Sequence, residues 1–335
     1  MKWPKASATK AKTALPASVS ITRAAAVIAT KNNTLSSSSK TVYIIAGPTA
    51  VGKTGLAIQL AKRLDTSIIS ADSRQCYEEM SIGTAKPTPG ELSEVKHYFI
   101  GGYPVSEALT AANYETIALD YLNKIFEHRN TAVVVGGTGL YIKALTEGLD
   151  NMPEVNPEIA AQVNEDYTIQ GLSWLQQTVR NEDPEFYAHG EVKNPARLLR
   201  ALIFKRSTGA SIIHFRTGEK KERPFEVVKI ALELPREVLY DRINRRVDIM
   251  MEEGQLEEAK ALYPQRHLKN LQTVGYTELF DYLDGKMTLE EAVDKIKQNT
   301  RNYAKRQLTW FRKDKDFHWF STDDPTAIDK ILAIK

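Results

Sequence analysis

The sequence predicts an α/β protein, with a parallel β-sheet that carries helices on both faces and with a helical domain inserted into it. Two observations lead to this prediction. Short apolar, β-branched runs alternate with helical segments in the first half of the chain, which is the pattern of a parallel sheet. Between about residues 149 and 206 the strand signals vanish and apolar residues recur at helical spacing, which indicates a helical insertion.

The predicted strands have loops containing glycine or polar residues at their carboxyl ends. These strands are residues 42–46, 67–70, 132–135 and 227–234. Helices are predicted over residues 53–64, from Pro235 to about residue 263, and onward through Phe311 with breaks at Gly275 and Gly285. Because crossovers between parallel strands are right-handed, we expect the loops after the strands to meet at one edge of the sheet.

Composition divides the chain into five segments. The first 40 residues contain no Asp or Glu and are rich in Ala, Ser, Thr and Lys. They predict a disordered leader, with a transit peptide as the alternative. An α/β core, the helical insertion, a segment that completes the core and carries basic helices, and a short tail should follow. The leader is residues 1–40, the α/β core 41–148, the helical insertion 149–206, the completing segment 207–320 and the tail 321–335.

Cysteine content and charge set limits on the function. The 335-residue chain has one cysteine, Cys76, which excludes an internal disulfide and any zinc site that needs two thiolates, and which fits a reducing compartment. No apolar run approaches the roughly 20 residues needed to span a bilayer. The net charge of +3 permits nucleic-acid binding but does not argue for it.

Residues 47–54, GPTAVGKT, fit the phosphate-binding pattern G-x-x-x-x-G-K-[ST] and lie between a predicted strand and a predicted helix. In such a loop backbone N–H groups converge on phosphate oxygens, Lys53 adds a charge, and the Thr54 hydroxyl can ligate Mg²⁺. The loop predicts a phosphorylated ligand without saying which one. The residues concerned are Gly47, Pro48, Thr49, Ala50, Val51, Gly52, Lys53 and Thr54.

Asp72 directly follows the second predicted strand, so it should open onto the same crevice as the phosphate loop. A carboxylate there can accept a proton from a nucleophile held in line with a phosphate ester. Asp is also a good helix N-cap, and spacing alone leaves the two roles equally open. The third strand ends in glycines rather than in a carboxylate, which weakens plain nucleotide hydrolysis without excluding a kinase.

Six motifs together resemble the tRNA dimethylallyltransferase (isopentenyltransferase) family. They are residues 47–54, 71–75 with 82–87, 136–141, 194–202, 273–276 and 305–312, and they cover about residues 41–320 in order and spacing. A phosphate loop alone occurs in many families, whereas six ordered motifs are specific. The resemblance implies a P-loop NTPase-like fold. It also implies a bacterial-type cytoplasmic enzyme, monomeric and without a zinc finger.

The resemblance further implies the reaction. A dimethylallyl group would pass from dimethylallyl diphosphate to the exocyclic amine of the adenine on the 3′ side of the anticodon in tRNA, with release of diphosphate. The diphosphate would lie in the phosphate loop with Mg²⁺, held by Lys53 and Thr54. Asp72 would accept a proton from the flipped-out adenine or orient it, and Thr49 and Arg246 would stabilise the leaving group. The adjacent Arg245 allows a one-residue slip in this assignment.

Basic residues alternate with aromatic ones near the end of the chain, between Lys295 and Lys315. This pattern fits an RNA-binding surface, but by itself it fits an ordinary amphipathic helix better. The family match favours RNA contact by Lys305, Arg306 and Arg312, whereas Trp310 is expected to pack rather than stack. Ser73 and Gln75 are expected to read the base edge. The full set of expected tRNA-binding residues is Asp72, Ser73, Arg74, Gln75, Thr138, Ala196, Arg197, Arg200, Thr273, Gly275, Tyr276, Lys305, Arg306, Gln307, Trp310 and Arg312.

Three alternatives remain at this point. An adenylate isopentenyltransferase would prenylate free AMP, ADP or ATP, but it would not need the helical insertion or the basic segment. A small P-loop kinase would not need the five further motifs. A catalytically silent RNA-binding homologue would not need Lys53, Thr54 and Asp72.

Overall fold

The computed structural model describes residues 39–334, and a parallel sheet lies at its centre. Its strands are β1 (Thr41–Ala46), β2 (Ile68–Ser70), β3 (His97–Tyr98), β4 (Thr131–Gly136), β5 (Glu226–Glu233) and β6 (His318–Ser321). They lie in the order β3-β2-β4-β1-β5-β6, and each neighbouring pair is parallel. The predicted α/β fold is confirmed. The sequence pattern did not predict the edge strands β3 and β6, because two to four residues are too few for a period to show.

Helices surround the sheet and form the insertion. They are α1 (Lys53–Arg63), α2 (Pro89–Glu94), α3 (Ala111–Phe126), α4 (Gly139–Glu147), α5 (Pro157–Glu182), α6 (Pro184–His189), α7 (Pro195–Thr208), α8 (Arg236–Glu252), α9 (Gln255–Leu262), α10 (Thr277–Leu283), α11 (Leu289–Phe311) and α12 (Ala327–Leu332). Short 3₁₀ turns occur at Ile212–Phe215, Tyr263–Gln265 and Lys269–Leu271.

Both faces of the sheet are buried, as a parallel sheet requires. Successive side chains of a strand point to opposite faces, so Val42 and Ile44 of β1 belong to one apolar cluster while Tyr43 and Ile45 belong to another. The first cluster includes residues of α3, α4 and α9 to α11, and the second includes residues of α1, α8 and α12. The central strands are therefore held between two helical layers, which fixes the positions of the loops at their carboxyl ends.

The insertion has its own apolar cluster, built from α5, α6, α7 and the turn that follows them. Val163, Leu175 and Leu202 are fully buried in it. Asn156 and Asn194 accept backbone N–H bonds at the starts of α5 and α7, which explains where these helices begin. The cluster extends past the expected boundary at residue 206, because Ile212 is fully buried in it.

Two further segments differ from expectation. The helical stretch predicted from Pro235 to about residue 263 is two helices, because Gly254 takes a left-handed conformation (φ 102°) that ends α8 and begins α9. Residues 321–335, expected to be a tail, contain α12, whose Ile331 is fully buried against the sheet. The expected leader, residues 1–40, lies outside the described residues except for its last two.

Candidate active site

The phosphate loop lies between β1 and α1, as the sequence predicts, and the first turn of α1 contains Lys53 and Thr54. The Lys53 ammonium donates a hydrogen bond to the Pro48 carbonyl at 2.7 Å, so the side chain folds back over the loop. Burial, together with the nearby Arg246 guanidinium, lowers the pKa of Lys53 to about 8, against the opposite effect of Asp72. Converging N–H groups, a helix N-terminus and a close ammonium are the parts of an anion site.

Asp72 lies beside this loop because β2 is separated from β1 only by β4. Its Oδ1 accepts backbone hydrogen bonds from Arg74 (2.9 Å) and Gln75 (3.3 Å), so the carboxylate does stabilise the turn that follows β2. Within residues 39–334 no hydrogen bond reaches Oδ2, and the side chain lines two neighbouring cavities. One carboxylate oxygen thus has the structural role, while the other remains available for chemistry.

The loops after β2 and β4 are joined closely. A Cβ atom on Gly136 would lie 2.2 Å from the Ala71 carbonyl oxygen, so only glycine permits this approach. The Thr138 hydroxyl accepts the backbone N–H of Ser73 at 3.1 Å and donates to the Ser73 hydroxyl at 3.3 Å. Gly136 at the end of β4 and Thr138 after it therefore position the Asp72 turn.

Arg246 reaches this site from α8, and its Nη1 lies 3.5 Å from the Thr49 hydroxyl. Burial lowers the pKa of Arg246, against the opposite effect of Asp72. Arg245 instead is exposed and pairs with Asp241 one turn earlier on the same helix. Of the two adjacent arginines, Arg246 is the one that faces the phosphate loop.

Two adjoining cavities make up the cleft. The larger, about 360 Å³, is lined by Lys53, Thr54 and Arg242 among others. The smaller, about 130 Å³, is lined by Asp72, Arg74 and Arg246 on one side and by apolar residues on another. The residues that line both are Thr49, Ala50, Asp72, Thr84, Arg246 and Tyr303. The apolar residues of the smaller one include Ile243, Val247, Met250, Val274 and Ile296. A polar compartment and an apolar one thus meet at Asp72 and Arg246.

Tyr303 is a site residue that the motifs did not single out. Its ring is 36% exposed and lines both cavities. The pKa of Tyr303 is raised to about 12. The larger cause is the loss of solvent around its hydroxyl, and the smaller is the negative charge of the Asp72 carboxylate. The interleaving of aromatic with basic residues in the last long helix was the available signal, but it does not tell which aromatic faces the cleft.

Several expected RNA-binding residues have structural partners instead. The buried Gln307 amide accepts the Thr49 N–H and donates to the Gly137 carbonyl, both at 2.9 Å. Gln75 donates to the carbonyls of Thr84 (3.2 Å) and Ala85 (3.0 Å). In this structure both side chains connect loops of the site and line the larger cavity, so their base-reading role stays a prediction.

The 273–276 motif also has a structural role. Tyr276 is fully buried, and its hydroxyl donates to Glu258 at 2.6 Å. Glu258 further accepts the backbone N–H groups of Ser81, Ile82 and Gly83 at 2.8–2.9 Å. In this conformation RNA cannot reach Tyr276, whereas Thr273 and the buried Gly275 line the smaller cavity. The motif supports the loop over the cleft.

The basic residues expected to bind RNA are exposed at the surface of the chain. On α11, Lys305 and Arg306 are exposed, and the Arg306 guanidinium lies 5.9 Å from the Tyr303 ring centre. The exposed Arg312 lies 3.5 Å from Glu233, and Trp310, 44% exposed, covers Gly139. On α7 of the insertion, Ala196, Arg197 and Arg200 are exposed, with Arg197 paired to Glu191.

The described chain contains no preformed metal cage. Within residues 39–334, no three His, Cys, Asp or Glu side chains gather as they would around an ion. The oxygen donors that line the larger cavity include the Thr54 hydroxyl and the carboxylates of Asp72 and Glu91. No helix in the same range combines the length and apolar character that a bilayer-spanning segment needs.

Comparison with known proteins agrees with this architecture. A family model described as IPP transferase matches residues 75–314. tRNA dimethylallyltransferase 1 of Phocaeicola vulgatus is 48% identical over 288 residues, which cover 86% of this chain and 96% of that protein. The tRNA isopentenylpyrophosphate transferase structure from Bacillus halodurans matches with a TM-score of 0.64 at 39% identity, covering 87% of this chain and 94% of that one. A eukaryotic dimethylallyltransferase acting on tRNA gives a TM-score of 0.72 at 27% identity, covering 88% and 78%. The chain therefore belongs to the IPP transferase family.

Proposed function

We propose that this enzyme transfers a dimethylallyl group from dimethylallyl diphosphate to the exocyclic amine of the adenine 3′ of the anticodon in tRNA. The observation that carries the proposal is the junction of a cationic and an apolar cavity at one carboxylate, Asp72. An allylic diphosphate has the same two parts, a doubly charged head and a short hydrocarbon chain. Family membership, supported by relatives named for this reaction, points the same way.

The diphosphate head fits the larger cavity. There Lys53, Arg242 and Arg246 supply positive charge, and the N-terminus of α1 supplies N–H groups. These donors are fixed before the substrate arrives, so they stabilise the charge that grows on the leaving group without reorganisation. The hydrocarbon chain then extends into the smaller cavity, between apolar side chains of α8 and α11.

The reaction is a substitution at the allylic carbon C1. The bond between C1 and the diphosphate oxygen breaks with its electrons going to the diphosphate, and a bond forms between C1 and the adenine amine. The amine proton passes to Asp72 through Oδ2, the oxygen without a hydrogen bond among the described residues. Arg246 and Lys53 neutralise the departing diphosphate, while Thr49 is held toward it by Arg246.

A divalent cation fits this site as a partner of the substrate rather than of a protein cage. Mg²⁺ prefers oxygen ligands and is commonly held by one or two protein groups together with substrate phosphates. Thr54 and Asp72 offer a hydroxyl and a carboxylate in the larger cavity, and we assign the Mg²⁺ contact to Thr54. When bound, the ion supplies further charge neutralisation to the diphosphate.

The polynucleotide substrate accounts for the basic surface and the insertion. Lys305 and Arg306 on α11, Arg312 directly after it, and Arg197 and Arg200 on α7 are exposed cations. Cations of this kind bind phosphate groups and position the RNA. The adenine must leave its stack to reach Asp72, and a closed pocket compensates for that extrusion.

The test is a labelled dimethylallyl transfer assay with the full chain, offering unmodified tRNA and free AMP separately. We expect label in tRNA alone, and Asp72→Asn should lower kcat by about 10²–10⁴-fold because the proton acceptor is lost. The matched control is Asp120→Asn, which changes an exposed carboxylate on α3 and should leave the rate unchanged. Label in AMP would instead support adenylate prenylation, and label in neither acceptor would contradict the proposal.

A further inference from the structure

One face of α8 follows the cleft from its charged end to its apolar end. Arg242 lines only the larger cavity and Arg246 lines both, whereas Ile243, Val247 and Met250 line only the smaller one. Positions 243, 246, 247 and 250 are three or four residues apart, so their side chains share one side of the helix. The helix therefore presents two cations to the larger cavity and three apolar side chains to the smaller one, with Met250 the furthest of them toward its carboxyl end.

The spacing of this series can be compared with the donor. A helix rises about 1.5 Å per residue, so Met250 lies about 6 Å along the axis beyond Arg246. The carbons of one isoprene unit span roughly 4–5 Å with bonds of about 1.5 Å. A donor whose diphosphate binds Arg246 and whose chain runs along α8 toward its carboxyl end would therefore bring its terminal methyl groups level with Met250. A second isoprene unit would have to occupy the volume of the Met250 side chain.

Other elements supply the remaining walls of the smaller cavity. Val274 and Ile296 come from the loop before α10 and from α11, and Ile296 is buried. Gln255, also in this wall, is held by a hydrogen bond of its amide to the Gly275 carbonyl at 3.1 Å. These side chains and Met250 thus form neighbouring parts of the wall of one small cavity.

We propose that Met250 sets the chain-length limit of the donor, so that a five-carbon allylic diphosphate is accepted and a ten-carbon one is rejected. The inference rests on the proposed function, because it places the hydrocarbon chain in the smaller cavity. Met250 is half-buried with its thioether side chain in the wall, and its neighbour Ile249 is 51% exposed on the other side of α8. The two residues therefore form a matched pair for a test.

The experiment measures kcat/KM with dimethylallyl and with geranyl diphosphate, using tRNA as acceptor and the mass of the modified nucleoside as readout. We expect Met250→Ala to raise the ratio of geranyl to dimethylallyl transfer by about tenfold or more, because removed side-chain volume becomes available to the second unit. Met250→Leu, which conserves volume, should stay within about threefold of the wild-type ratio. Ile249→Ala should leave the ratio unchanged.

Each result is decisive. An unchanged ratio in a Met250→Ala enzyme that still transfers the dimethylallyl group would overturn the proposal while leaving the proposed function intact. If Met250→Ala does not fold, Met250→Phe gives the reciprocal test, because a larger side chain should raise the KM for dimethylallyl diphosphate, and an unaltered KM would overturn the proposal. Failure of the wild-type enzyme to transfer the five-carbon group would instead contradict the proposed function.

Discussion

The two ends of the cleft use different physical forces. At the phosphate-loop end, Lys53 and Arg246 are cations held close together, and the proximity of Arg246 contributes to the lowered pKa of Lys53. At the other end, Val247, Met250 and Ile296 provide an apolar wall without a charge. In the proposed reaction the charged end acts on the leaving group and so on the rate, whereas the apolar end selects the shape of the donor. Catalysis and the selection of the donor would therefore depend on different residues of one small cleft.

The two ends are also held in place differently. Gln307 joins the phosphate loop to the loop after β4 with one amide, so the charged end is fixed to the sheet itself. On the apolar side, Glu258 of α9 binds three successive backbone N–H groups of loop 81–83 and the Tyr276 hydroxyl. That loop continues into Thr84, which lines both cavities. Changes at the two ends should therefore have separable kinetic effects.

Among the changes that separate the two ends of the cleft, the largest effect is expected at Arg246. Arg246→Ala should lower kcat by about 10²–10³-fold, because the enzyme loses a fixed cation that stabilises the charge developing on the diphosphate. The ratio of geranyl to dimethylallyl transfer should stay at the wild-type value. Single-turnover kinetics with both donors measure the two quantities. Arg245→Ala is the control, since Arg245 is exposed and pairs with Asp241. Equal losses of kcat in both variants would contradict a specific role for Arg246.

A pH effect of intermediate size is expected from Lys53. Its pKa is lowered to about 8, so in the free enzyme it is an ammonium below this pH and a neutral amine above it. Only the ammonium attracts the diphosphate, so kcat/KM for the donor should fall above pH 8, by up to about tenfold per pH unit. A pH profile of kcat/KM measures this. A value that stays constant up to pH 10 would show that Lys53 does not control donor binding.

The smallest effect is expected at Glu258. In the wild type both oxygens of the Glu258 carboxylate accept hydrogen bonds, from three N–H groups and a hydroxyl. Glu258→Gln leaves only one acceptor oxygen, so loop 81–83 should become less firmly held. We expect the KM for dimethylallyl diphosphate to rise about three- to tenfold with little change in kcat. The free energy of unfolding should fall by about 1–2 kcal/mol. Steady-state kinetics and denaturant titration measure the two effects.

The neighbouring Glu257 provides the control for this prediction, because it is exposed and pairs only with Lys260 among the described residues. Glu257→Gln should match the wild type in both KM and stability. If Glu258→Gln lowers kcat and leaves KM unchanged, the prediction that this carboxylate supports the donor pocket would be wrong.

The phosphate loop and the Asp72 turn were predictable from sequence because each is a contiguous segment with a local geometry. The loop places its own N–H groups, and Asp72 caps its own turn two and three residues later. Tyr303 and Met250 were not predictable in this way. Both lie on long amphipathic helices, and which helix face meets the cleft depends on packing against distant elements. The same limit applies to Gln307, whose partners lie 258 and 170 residues away.

By itself the sequence determined the parallel α/β fold, the phosphate loop and the carboxylate at the end of the second strand. Periodicity, glycines and short-range hydrogen bonds are local properties, and they leave their pattern in neighbouring residues. Only the tertiary structure decided that Arg246 rather than Arg245 faces the cleft, that Tyr276 is buried, and that an apolar cavity adjoins the phosphate loop. These features depend on how separate helices pack on the sheet. Contacts between distant segments leave no periodic pattern in the sequence, so the sequence alone does not reveal them.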